Sequence, residues 1–472
     1  MEMQVINIES RREVFWDDFL IDTEKTTAVH RLIPPVEREC CFVFDQEEEK
    51  FSVSYPNIIQ DEHGYRMYYL SFNPNSGEKG KIRMRVIESE DGIHWTRPAL
   101  NLFPAEGTGS SNVVVDDMDD SSLCVFLDTN PACPPEEKYK ALSLVFLDRA
   151  ADRRSLWSYT SPDGYHFKKN RMVTDQGRFD TLNATFYSHV DGLYHMFCRN
   201  LHSDGAGGIV RDVRMMTSPD FVNWTAPVQL EYDDGMDFQM YTNNIMQYPR
   251  APHMFAGMPS RYVERNAWTK NDDQFGSVEV KKQAAKDIEP RCALAVTDMM
   301  FICSRDGQHF HRYQDAYMTP GLESEDNWIY GDCFASYPLT DTGSTYSFFM
   351  NKNEMTGNCP NYLYRYELRK DGFACMAAEC GEKLLVTKPF CFTGSTLHLN
   401  VATSAFGSVY VEVLDAEGNC LSGKSVEVYG DSLDRIVYFE DDSDFSAYAG
   451  RPVRLRFRMT EAKLYSMYFD KT

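Results

Sequence analysis

Long apolar runs are missing from this 472-residue chain. No stretch of about 18 apolar residues could cross a bilayer, and the opening MEMQVINIESRREVFW holds no basic segment followed by an apolar core. Both absences set the expectation of a soluble, cytoplasmic protein without a membrane partner. Positive charge is scarce: 48 basic against 71 acidic residues leave a formal charge of −23, which repels nucleic acid and anionic lipid. Ordered cysteine spacing is absent as well. The 13 cysteines are odd in number and include no C-x-x-C pair, so reduced thiols are expected, with no metal site and no cofactor. There is no Walker motif, no His-Glu-x-x-His and no G-x-S-x-G elbow, and DGAGGIV at Asp204 lacks the strand-glycine-helix setting of a nucleotide loop. Helical periodicity is confined to VEVKKQAAKDI, residues 278–288, a polar insertion.

What the chain does contain is a repeat. SEDGIHW at Ser89, SPDGYHF at Ser161, SPDFVNW at Ser218 and SRDGQHF at Ser304 share Ser-x-Asp followed by an aromatic four residues after the Asp, and RKDGF at Arg369 is a worn fifth copy. The Asp-Gly step suits the positive φ of a tight hairpin, so these aspartates read as turn formers. Upstream of the copies lie aromatic strands such as DEHGYRMYYLSF (Asp61), HVDGLYHMFCRN (His189) and DTGSTYSFFMN (Asp341), with SSLCVFLD (Ser121) in the same role for the second unit. They are apolar on both alternating faces, as strands covered on both sides must be. Before each stands a shorter segment: VSYPNII, SNVVV, FDTLNATF, DFQMYTNN and IYGDCF.

Five small antiparallel sheets, each needing neighbours on both faces, predict an all-β fold built on a five-bladed β-propeller over residues 1–387. From residue 388 the segments STLHLNVATS, GSVYVEVLDAEGN and RPVRLRFRM alternate apolar with polar, which predicts a C-terminal β-sandwich over residues 388–472.

Five blades with middle strands of the DG-x-Y-x-M-[YF] kind, such as DGLYHMF at Asp191, S-x-D-G-x-x-W hairpins and a terminal sandwich resemble the propeller glycoside hydrolases of families 32 and 43 and their relatives. The resemblance implies a central funnel whose inner strands carry the acidic residues, one to protonate the leaving oxygen and one to act as nucleophile or activate water. The chain departs from both families at the first blade. It has FNPNSG at Phe72 where family 32 has Asn-Asp-Pro-Asn-Gly, and SYPN where family 43 begins with Asp.

On the implied funnel strands the candidate catalytic acids are Asp180 in GRFDTLN, Asp237 in MDFQMYTNN and Asp332 in IYGDCF. Asp18 in FWDDFLID joins them, on the expectation that the N-terminal strand closes the last blade. Candidate substrate contacts are Asn183 beside Asp180, Arg199, Arg211 with Arg214 facing the other way, Gln239, and the aromatics Tyr55, Tyr241 and Trp328. The expected activity is hydrolysis of oligosaccharides or small glycosides, with carbohydrate as partner. Phosphorolysis resembling family 130, and carbohydrate binding without catalysis, stand as the alternatives. Sugar identity, stereochemical course and oligomeric state stay open.

Overall fold

The computed structural model describes residues 5–73, 81–103, 111–353, 360–441 and 444–470, which leaves Pro74 to Gly77 of the FNPNSG stretch outside the described residues. The chain separates into two compact units, one of residues 35–247 and 253–367, the other of residues 1–34, 248–252 and 368–472. The division expected near Thr387 falls inside the second of these.

The first unit contains the blades. Three four-stranded antiparallel sheets follow in chain order: Ser52–Asp61, Gly64–Phe72, Ile82–Ser89 and Val113–Met118; then Cys124–Leu127, Tyr139–Asp148, Arg153–Ser161 and Lys168–Thr174; then Ala184–Ser188, Leu193–Ser203, Ile209–Ser218 and Val228–Gln229. The fourth blade is interrupted. Its middle strands are cut into Phe255–Gly257 and Ser260–Glu264, and into Ala295–Met299 and Ile302–Ser304. Pro259, with no N–H to donate, sits at the first break. The fifth sheet runs Thr340–Asp341, Thr345–Lys352, Asn361–Arg369 and Val36–Phe44. The polar insertion is a helix, Val278–Asp287.

Two expectations need correcting. The strand that closes the fifth blade is Val36–Phe44, not the FWDDFLID segment. The reason is apolar burial: Phe15 and Trp16 are buried in the other unit, where Glu13–Val14 pairs with the strand Val453–Asp470, so Asp18 stays there too. SNVVV likewise is not the inner segment of the second blade. Val113–Met118 is the outer strand of the first blade, and the acidic stretch after it crosses over to Cys124–Leu127, which takes the inner place.

The inner strands form a closed ring, and asparagine side chains join much of it. Asn57 on the first blade donates from Nδ2 to Leu123 O (3.4 Å) and accepts at Oδ1 from Val125 N (3.1 Å) on the second. Cys124 meets the backbone of Thr185 on the third. Asn243 on the fourth donates to Leu182 O and Phe197 O on the third (3.1 and 3.0 Å), and Asn244 donates to Ala335 O and Ser336 O on the fifth (2.9 and 3.1 Å). The fifth returns to the first through a parallel bridge between Tyr337 and Asn57. A buried asparagine suits this work because its amide supplies both a donor and an acceptor to backbone groups that the blade sheets leave unpaired.

In the second unit, Thr396–Asp415 and Val453–Asp470 pair antiparallel from Thr396↔Asp470 to Asp415↔Val453, and seven shorter strands complete one hydrogen-bonded sheet around a large apolar core, with a small second cluster at Cys375, Ala377 and Tyr465. The register slips between Thr403 and Ser408. Gly407 stands in that slip, where a Cβ would lie 2.4 Å from the Glu461 carbonyl.

The described cysteines form no disulfide, and no described helix is long and apolar enough to cross a membrane.

Candidate active site

The hairpin aspartates are turn formers in four of the five repeats. Asp91 Oδ1 accepts from Ile93 N and His94 N, both at 2.8 Å, and Asp163, Asp220 and Asp306 repeat the pattern. Asp371, the worn copy, is instead fully buried in the second unit and accepts from Tyr248, Arg250, Asn400 and Ser466. None of these residues is left free for chemistry, which turns attention to the inner strands.

There the backbone is strained where the chain enters the blades. Tyr55 (φ 52°), Phe179 (φ 62°), Asn244 (φ 46°) and Cys333 (φ 57°) all occupy the left-handed region without being glycine. At Phe179 the support is visible. Buried Asn183 donates from Nδ2 to Phe179 O (3.0 Å) and Thr181 O (2.9 Å), and its Oδ1 accepts from Arg199 N (3.1 Å). All its bonds go to backbone. It fixes the turn that presents Asp180.

Asp180 is partly exposed, at 36%, and faces cations. Its Oδ2 lies 3.0 Å from Arg154 Nη1 and its Oδ1 lies 3.8 Å from Nε of Arg199, which is only 4% exposed. Arg154 also pairs with Asp152 at 2.7 Å. Arg199 lies over the Tyr241 ring, 4.9 Å from its centroid, and donates to Tyr241 O at 3.3 Å. Phe334 stacks nearly parallel to the same ring at 5.3 Å. Tyr241 therefore has partners against its ring on the blade and holds its hydroxyl to Tyr330. Tyr55 lies in the field of Asp180, Tyr241 and Arg199.

A second guanidinium group extends the cluster. Arg211 stacks on Tyr262 at 4.1 Å and donates to Gln239 Oε1. Burial pulls its pKa below the usual value, and the like charges of Arg199 and Arg291 pull it further. Arg291, from the segment after the helix, donates to the Tyr262 hydroxyl at 2.9 Å and pairs with Glu289. Arg214 turns the other way, to Leu201 O and Asp212.

The structure therefore brings together Asp180, Asn183, Arg199, Arg211, Gln239, Tyr241 and Tyr55. The other candidates hold partners outside this cluster. Asp237 is more than half exposed and holds His202 Nε2 at 3.1 Å, while Asp212 holds Nδ1 at 3.0 Å. Partial burial pulls that imidazole down, but the two carboxylates carry its pKa above the ordinary value. Asp332 lies in a cleft of about 470 Å³ whose lining includes Glu37, Asp326, Lys352 and Tyr364. Burial pushes its carboxyl up to about 7, against the bond it accepts from Ile329 N at 2.9 Å. Trp328 belongs to the neighbouring loop, donating to Gly321 O at 2.9 Å. Asp18 pairs with His30 at 2.9 Å in the second unit.

Sequence reasoning alone misses Arg154, Tyr262, Arg291 and Phe334. Arg154, Tyr262 and Arg291 come from stretches with no motif and Phe334 closes the IYGDCF segment, and only the packing of the blades joins them to this cluster. No group of three or more His, Cys, Asp or Glu suited to a metal occurs among the described residues.

No protein-family model matches the chain, and no curated protein matches it. Among solved structures it is similar to the GH32 β-fructofuranosidase of Bombyx mori, at 9% identity over 89% of this chain and 93% of that one, with a TM-score of 0.44. It is similar to an N-acetylgalactosamine deacetylase from F. plautii in complex with blood group B trisaccharide, at 13% identity over 74% and 96%, TM-score 0.43. A third is a GH130 structure, from the family of mannoside phosphorylases that contains glycoside hydrolases targeting β-1,2 mannosidic linkages in Candida mannan, at 13% identity over 77% and 96%, TM-score 0.39. Likeness at this level is no guide to reaction or substrate.

Proposed function

We propose that the chain cleaves glycosides at the Asp180 cluster. The observation that carries this reading is the placement of one partly exposed carboxylate on a strained turn, fixed from behind by Asn183 and flanked by guanidiniums. A carboxylate so held can transfer a proton to or from a glycosidic oxygen, or to or from an attacking water, without reorganising. The surrounding arginines and Gln239 are donors suited to sugar hydroxyls. Asp237 and Asp332, occupied elsewhere, are less suited to serve as its partner acid.

A second reading, phosphorolysis, draws on the same guanidiniums, because cleavage by inorganic phosphate needs only one protein carboxylate and a site for the anion. Assay of reducing-sugar release from an oligosaccharide panel, with and without inorganic phosphate, separates the two. Hydrolysis is expected to proceed in phosphate-free buffer, and turnover that requires phosphate would favour the second reading. Asp180→Asn is expected to lower turnover by about a hundredfold or more while the melting temperature stays near wild type. Glycan binding without turnover in the wild-type protein would reduce the site to a binding module.

A further inference from the structure

The charges around Asp180 do not balance. Arg154, Arg178, Arg199, Arg211 and Arg291 form one connected group with Asp152, Asp180, Glu264 and Glu289. Asp152 takes Arg154 and Arg178, Asp180 takes Arg154 and Arg199, Glu289 takes Arg291, and Glu264 accepts from Tyr262, which Arg291 also holds. Five guanidiniums thus meet four carboxylates. Among the described residues the excess falls on Arg211, which makes no ion pair there and meets Gln239 and the rings of Tyr262 and Tyr241. Its Nε is buried and makes no hydrogen bond, and the Nε of deeply buried Arg199 faces only Asp180 Oδ1, at 3.8 Å and beyond hydrogen-bond length. A buried cation with an orphaned donor is costly unless something supplies an oxygen.

We propose that Arg211, backed by Arg199, receives a single carboxylate carried by the substrate, so that the glycan cleaved here contains a uronate. Three features point to this ligand. One net positive charge matches a monoanion. A guanidinium offers two parallel N–H groups to a planar carboxylate. Tyr262 and Tyr241 hold that fork from behind, so it is ordered before the ligand arrives. Inorganic phosphate shares the oxyanion chemistry and is the competing source, which the experiment distinguishes. The inference rests on the proposed glycoside cleavage.

The test is titration calorimetry of the full chain at low salt with D-glucuronate, D-glucose and inorganic phosphate as separate probes. Glucuronate is expected to bind saturably and at least about tenfold more tightly than glucose. Arg211→Gln should erase that preference, and Arg211→Lys, which keeps the charge but not the fork, should retain part of it. Should Arg211→Gln misfold, loss of most of the preference in a folded Arg211→Lys variant supports the proposal equally. Equal affinity for glucose and glucuronate overturns the proposal, as does phosphate binding more tightly than glucuronate, or a preference that survives in both Arg211 variants. Asp180→Asn is expected to keep the preference. Asp180-dependent turnover without any uronate preference therefore sinks only this inference, and uronate binding without Asp180-dependent turnover sinks only the catalytic reading.

Discussion

Asp180 and Asp332 each adjoin a left-handed residue near the entry to a blade, Asp180 just after Phe179 and Asp332 just before Cys333. Their surroundings are opposite. Asp180 meets Arg154 and Arg199 and keeps about a third of its surface open. Asp332 is desolvated in a cleft that also holds Asp326 and Glu37, with a single lysine, Lys352, in its lining, and its carboxyl is pushed up to about 7. The difference teaches that a turn at a blade entry presents a carboxylate, while the residues packed around it decide what that carboxylate meets and whether it is reachable.

The contrast is broken most severely at Asn183. Asn183→Ala removes the donors to Phe179 O and Thr181 O and leaves the Arg199 N–H buried without an acceptor, so a loss of about 3 kcal/mol is expected. Turnover should fall with it, as the Phe179 turn relaxes and Asp180 loses its place. Chemical denaturation and assay of one preparation check both. A variant as stable and active as wild type would show that the strained turn needs no such support.

A smaller effect of opposite sign is expected at Asp332. In the unfolded chain its carboxyl ionises near the ordinary value of 3.8, whereas in the fold it holds its proton until about pH 7. Its contribution therefore becomes increasingly unfavourable as pH rises from about 4 to about 7, and stays so above. Asp332→Asn removes the ionising group, and should raise stability by about 2 kcal/mol at pH 8 and by nothing below pH 4. Melting curves at the two pH values decide it. Equal effects at both would mean that Asp332 is already ionised in the fold.

Much of the architecture is legible in the amino-acid sequence. The Ser-x-Asp-Gly hairpins and the two-faced aromatic strands carry local signals, a turn that wants positive φ and a strand that wants cover on both sides, so the all-β fold and four of the five hairpin roles can be read directly. What fails are choices between equivalent local signals. FWDDFLID is expected to close the last blade because it stands near the N-terminus, and only the burial of Phe15 and Trp16 in the second unit leaves the closing place to Val36–Phe44. SNVVV is displaced by one strand because no turn residue distinguishes a blade crossing from a hairpin. At the site, Asp180, Asn183, Arg199 and Arg211 can be named because they lie on one blade. Arg154 and Arg291 cannot, since nothing in the sequence around residues 150 or 290 tells which strand faces the third blade.

The central claim is that Asp180 performs proton transfer rather than merely balancing arginines. Its most direct test is turnover of Asp180→Ala with and without added formate, beside the wild type. The guanidiniums of Arg154 and Arg199 should hold the small anion where the side chain was. Turnover is expected to fall by about a hundredfold or more and to recover in a saturable, formate-dependent way. A variant that melts like wild type and retains its turnover without formate, or one that formate never restores, would contradict the claim.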